Sequence, residues 1–108
     1  MFAGLTSAVQ AEVTYEAREC YDAVKRLPGD LSAVANLDRN CGKASSQNWV
    51  DDSEKARAFY NWCVGLGRAH RWEEALEKCE FGIALSEDYF DKHRLHLQRG
   101  VALVYLLR

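Results

Sequence analysis

A chain of 108 residues has the length of one domain, enough to bury a core and too little for a second. With 48% hydrophobic and 28% charged residues and a net charge of −2, it is neither a disordered chain nor a simple basic nucleic-acid-binding protein. A single proline, and few β-branched residues beside Ala, Leu, Glu and Arg, predict an all-α protein.

At the start, Met1 to Ala11 is small and apolar but lacks the basic region and apolar length of a whole signal peptide. Val9-Gln10-Ala11 before Glu12 has the small-residue character of a signal-peptidase site, as though Met1 were an internal start near the tail of an export signal. A first turn of helix accounts for the same residues equally well. No segment approaches the ~18 consecutive apolar residues of a membrane span.

A first helix, beginning between Ser7 and Glu12, carries Ala17, Cys20, Tyr21, Val24 and Leu27 on one stripe and stops at Pro28-Gly29. Asp30 is the expected N-cap of a short second helix, in which Leu31, Val34, Leu37 and Cys41 recur until Gly42. From Lys43 to Val50 no period exists, which predicts a loop, and Asp51 with Glu54 forms a capping box for a third helix over about Asp52 to Ala69. That helix carries Ala56, Phe59, Trp62, Cys63 and Leu66, and Gly65 and Gly67 are expected to weaken its end. A tight turn at His70-Arg71 leads to a fourth helix, Trp72 to Leu85, with Trp72, Ala75, Leu76, Cys79, Ile83 and Leu85 as its apolar set. A fifth helix from about Tyr89 ends in Val101 to Leu107, apolar on nearly every side, and requires cover.

Nothing in the chain supplies a nucleophile beside a base or a carboxylate pair in a recognisable setting, so no catalytic residues are assigned. His93-x-x-His96 could hold a metal with Cys63 or Cys79, but such a pair is far more often surface histidine, and neither a metal nor another cofactor is expected. Cys20, Cys41, Cys63 and Cys79 contain no C-x-x-C pair, and four cysteines permit three connectivities.

Helical hairpins with short turns raise the question of an internal repeat. Phe59-x2-Trp62-Cys63-x2-Leu66 followed by Ala75-x3-Cys79 has the large-x2-large-small-x2-large and Ala-x3-large spacing of the tetratricopeptide pattern. The small residue lets the second helix approach closely, and the large ones fill the wedge between repeats. His96-x2-Arg99-Gly100-x2-Leu103 opens another such unit, and Ala17-x2-Cys20-Tyr21-x2-Val24 with Ala33-x3-Leu37 fits more loosely. The chain therefore resembles the tetratricopeptide repeat family over about residues 14–108, best over 56–85. Its departures are offsets of 42 residues (Ala17 to Phe59) and 37 (Phe59 to His96) against a family spacing of 34, and acidic residues at Glu87 and Asp88 where a proline is usual.

The resemblance implies one domain over 1–108, built as a short right-handed solenoid of antiparallel hairpins. One hairpin spans about 12–42, a second about 52–86, and a half-repeat helix about 89–107. More narrowly, the chain looks like exported bacterial tetratricopeptide proteins with paired cysteines, which implies Cys20 bonded to Cys41, Cys63 bonded to Cys79, and a periplasmic or secreted location. Four reduced, buried cysteines in a cytoplasmic protein are the alternative.

It also implies a non-catalytic interaction module with an inner groove for a peptide or partner helix. The groove positions are Arg57, Tyr60, Asn61, Val64 and Arg68 on the third helix and Arg94, Leu97, Gln98, Val101 and Tyr105 on the fifth. In peptide-binding members an asparagine in the Asn61 slot bonds the ligand backbone, as paired donor and acceptor chemistry allows. Lys55, Arg57, Arg68, Lys92, Arg94 and Arg99 make the inner helices basic against Glu73, Glu74, Glu77 and Glu80 on the fourth, which favours an acidic peptide or protein partner. Two and a half repeats leave one side of the last helix bare, so a homodimer through Val101, Val104, Leu106 and Leu107 is the alternative function.

Overall fold

A computed structural model describes residues 14–107. The described chain consists of five α-helices, namely α1 Tyr15–Arg26, α2 Ala33–Ser46, α3 Asp52–Arg68, α4 Trp72–Leu85 and α5 Tyr89–Leu106. The small-residue stretch Val9-Gln10-Ala11 lies outside the described residues.

Helix α1 begins later than the apolar pattern predicts because Thr14 caps it. Thr14 is extended, and its hydroxyl accepts the Ala17 N–H at 3.1 Å. The helix ends at Leu27, which adopts the extended conformation imposed on a residue before proline. Asp30 does not cap α2: its carboxylate accepts from the Ser32 N–H and hydroxyl in the connecting turn, and Ser32 occupies the N-cap position. Gly42 does not end α2 either. The helix runs on to Ser46, with Ala44 and Ser45 buried and the Trp62 ring beside Gly42, where an added Cβ would lie 3.5 Å from it.

Asp51 caps α3 by accepting the Glu54 N–H at 2.8 Å, whereas the Glu54 carboxylate turns to Arg57 rather than back to the cap. The α3 terminus is a Schellman turn, in which the His70 N–H bonds to the Gly67 carbonyl and the Arg71 N–H to the Leu66 carbonyl. His70 sits there at φ 63°, where glycine or asparagine is the usual occupant. The Asp88 carboxylate accepts the Asp91 N–H at 3.0 Å and starts α5.

Consecutive helices pack antiparallel. The Cys20–Cys41 disulfide joins α1 to α2 and the Cys63–Cys79 disulfide joins α3 to α4, with Cα separations of 4.8 and 5.3 Å. Helix α3 also lies beside α1 and beside α5, so α1, α3 and α5 form one layer while α2 and α4 pack against it. The core is made of small and medium residues, with Cys20, Ala23, Leu37, Cys41, Leu66, Ala75, Cys79 and Leu95 at most 1% exposed.

Gly65 and Gly67 are not weak points of α3 but places of close approach. A Cβ at Gly65 would lie 2.6 Å from the Leu37 side chain, and one at Gly67 would lie 2.7 Å from the Trp72 ring. Helix α5 is covered on one side only: Leu95 and Ala102 are buried, whereas Leu97, Val101, Val104 and Leu107 are exposed.

Candidate functional site

The layer of α1, α3 and α5 encloses a cavity of about 210 Å³, lined among others by Tyr21, Arg57, Tyr60, Asn61, Asp91 and Arg94. Arg57, Tyr60 and Asn61 share one face of α3, since residues three and four apart on a helix are neighbours. The parallel neighbour α5 brings its first turn alongside, so that Arg57 Nε lies 3.4 Å from Asp91 Oδ2 and the Arg94 guanidinium lies 4.5 Å over the Tyr60 ring. Each of these contacts joins residues 34 positions apart. Tyr21 of α1 closes the opposite wall.

Of the ten groove positions expected, Arg57, Tyr60, Asn61 and Arg94 meet in this cavity. The others lie elsewhere. Arg68 reaches across to α1, where its guanidinium donates to the Val24 carbonyl at 2.8 Å and occupies the helix C-terminus as a strut. Val64 packs half-buried against the core. Tyr105 stacks on Trp72, with ring centroids 4.2 Å apart and planes within 3°. Leu97 and Val101 stand exposed on α5, and Gln98 is half-buried.

Three lining residues, Tyr21, Ala56 and Asp91, were not expected there, and two of them are polar. Tyr21 falls on the apolar stripe of α1, yet it is 51% exposed, with the Lys25 ammonium 5.0 Å over its ring. Asp91 reads in the sequence as an ordinary acidic residue in a first helical turn. It is nine-tenths buried, and its Oδ2 has no hydrogen-bond partner even though Arg57 stands at ion-pair distance. A buried acceptor left without a donor costs about 1–3 kcal/mol in a folded protein, more for a charged one.

The positive charge of this layer is largely engaged. Arg57 lies 3.2 Å from Glu54 as well as near Asp91, and Arg99 reaches Glu80 at 3.4 Å. A second, shallower hollow of about 370 Å³ lies beside the α3–α4 turn, around His70, Arg71, Trp72 and Glu74. Glu73 also lines it, while Arg71 and Glu74 are already paired with each other. Arg71 bridges Glu74 and Asp38, and Asp38 in turn accepts the Trp62 indole N–H at 2.8 Å. The hydrogen bond from Arg71 holds the Glu74 carboxyl below the usual glutamate range, and the same bond raises the arginine. This chain of contacts ties α2 to α3 and α4 and leaves little for a ligand to engage.

His93 stacks on Tyr89, and the sulfurs of Cys63 and Cys79 are consumed by their disulfide, which removes both as thiolate partners for the histidine pair. Among the described residues no group of three metal-ligating side chains converges, and no helix is long and apolar enough to cross a membrane. No known protein family, no curated protein and no solved structure matches this chain.

Proposed function

We propose that this protein is a non-catalytic interaction module of tetratricopeptide-like build, binding a peptide or a partner helix in the groove between α1, α3 and α5. The observation that carries this reading is the cavity that gathers Arg57, Tyr60, Asn61 and Arg94 from two separate helices. A concave site with aromatic walls and a few converging polar groups is what ligand recognition needs. The repeat reading, with right-handed stacking of the hairpins, draws support from the 34-position register between α3 and α5, which equals the family's period. Two disulfides within so small a domain favour an oxidising compartment, periplasmic or extracellular, over the cytoplasm.

Peptides enriched from a displayed random library on the disulfide-intact protein, titrated by fluorescence anisotropy, test the groove. Asn61→Ala is expected to weaken them about tenfold, which is about 1.4 kcal/mol, with unchanged circular dichroism. Arg57→Glu is expected to abolish binding of any acidic member. Unchanged affinity in both variants, or no enrichment at all, rejects the groove.

A second reading, self-association through α5, is favoured by the exposed row of Leu97, Val101, Val104 and Leu107.

A further inference from the structure

We infer that the groove reads one aromatic side chain of its polypeptide ligand, which enters the cavity between Tyr21 and the stacked pair of Tyr60 and Arg94. This deepens the groove reading and rests on it.

The size of the cavity selects a single side chain. Its volume of about 210 Å³ lies below the roughly 300–1,000 Å³ of sites that take a whole small-molecule ligand, and above the roughly 150 Å³ in which an apolar cavity already holds benzene. Ala56 lines it while being only 1% exposed, which puts a methyl group at its floor. Arg57 and Asp91 are engaged with each other at 3.4 Å, and Arg57 also stands 3.2 Å from Glu54. What a ligand meets is the methyl floor, the rings of Tyr21 and Tyr60, the Asn61 amide and the Arg94 guanidinium.

The charge of the walls decides which side chain fits. The Arg94 guanidinium lies 4.5 Å over the Tyr60 ring, and the Lys25 ammonium lies 5.0 Å over the ring of Tyr21 on the opposite wall. Both tyrosines thus carry a cation, and cations attract the negative face of an aromatic ring. A planar guanidinium also stacks on such a face. An aliphatic side chain gains burial alone. A cationic one would be repelled by Lys25 and Arg94, and a carboxylate would compete with Glu54 and Asp91 for Arg57 while lying beside Asp91. Asn61 favours a polypeptide as the carrier of the ring, since its side-chain amide offers a donor and an acceptor to a backbone running past the cavity.

The test titrates the full, disulfide-intact, 15N-labelled chain with N-acetylated, C-amidated decapeptides of Gly and Ser that carry one central guest: phenylalanine, cyclohexylalanine or alanine. The readout is the amide shifts of Ala56, Tyr60 and Asn61. The phenylalanine guest is expected to bind about tenfold tighter than alanine and about threefold tighter than cyclohexylalanine, which matches its size without the π face. N-acetylphenylalanine amide alone is expected to bind more weakly than the decapeptide, having lost the backbone contacts at Asn61. Arg94→Met should erase the difference between phenylalanine and cyclohexylalanine and keep the preference of both over alanine. Cyclohexylalanine binding as tightly as phenylalanine in the wild type overturns the inference, as does a phenylalanine preference unchanged in Arg94→Met. The free amide binding as tightly as the decapeptide reassigns the cavity to a small aromatic molecule and overturns it too. If no guest moves these amides but a library-selected peptide does, the inference fails and the groove survives; if neither does, both fall. Because the wild-type ranking needs no variant, a poorly folded mutant leaves the test intact.

Discussion

Gly82 and Gly100 are the same residue type in the interior of neighbouring helices, yet they stand in opposite surroundings. A Cβ at Gly82 would lie 2.8 Å from a methyl of Leu95 and 3.1 Å from Phe59 Cβ, and Leu95 is fully buried and cannot yield. A Cβ at Gly100 would meet nothing within 4 Å. Gly82→Ala is therefore expected to destabilise the protein by about 1–3 kcal/mol through overpacking. Gly100→Ala is expected to stabilise it by about 0.5–1 kcal/mol, because only the helix propensity changes. Urea unfolding midpoints of the two variants decide the matter, and shifts of the same sign would contradict the packing of α4 on α5. Residue identity in the sequence carries half of this. Gly100 falls in the small slot of the repeat pattern, and Gly65 and Gly67 read as weaknesses, because a sequence reports the missing side chain and not the neighbour that fills its place. Tyr21 and Asp91 were illegible for the same reason: what makes each a site residue is the helix that lies beside it.

The helices themselves are short, between 12 and 18 residues, and such lengths are marginal in water without packing or cross-links. The disulfides act at this scale, one for each hairpin. They close sequence separations of 21 and 16 residues, each giving roughly 3 kcal/mol in the chain-entropy account. The paired variants Cys20→Ala/Cys41→Ala and Cys63→Ala/Cys79→Ala should each lower the unfolding free energy by about 2–4 kcal/mol. The denatured, unreduced wild type should show no free thiol by reagent titration. Four free thiols would remove both staples and the compartment inferred from them. Their pairing was not derivable from spacing; it followed from the likeness to paired-cysteine repeat proteins. Helix ends were legible where the backbone itself forbids continuation, at Leu27 before Pro28. They were illegible at Gly42, beyond which the buried Ala44 and Ser45 keep the helix going beside the Trp62 ring of another helix. The repeat spacing shows a similar division. The motif alignment sets Phe59 against His96, 37 positions on, whereas the contacts of α3 with α5 run at 34. The difference is close to one helical turn, which slides a helix along its neighbour while largely keeping the same face inward.

For the molecule as a whole, the stacking that builds the groove also leaves α5 covered on one side. Leu97, Val101, Val104 and Leu107 recur at helical spacing and are 57, 39, 53 and 86% exposed, with the open Gly100 between them. A row of this kind, with a glycine at its centre, allows two helices to approach closely, and a second copy laid antiparallel across it would set Leu97 against the other copy's Val104. Such a contact is self-complementary and closes as a two-fold dimer rather than growing into a filament. The cation beside the row, Arg99, is paired with Glu80 at 3.4 Å, so apolar burial and not charge should govern this pairing. Light scattering over a range of protein concentrations is expected to show the mass rising from one chain towards two. Val104→Lys should hold the protein at one chain while leaving peptide affinity in the groove intact, since Val104 does not line that cavity. A wild type that stays at one chain at every concentration would remove the second copy as the occupant of this face, and a Val104→Lys variant that loses groove binding would mean that the groove and the bare side of α5 are one surface.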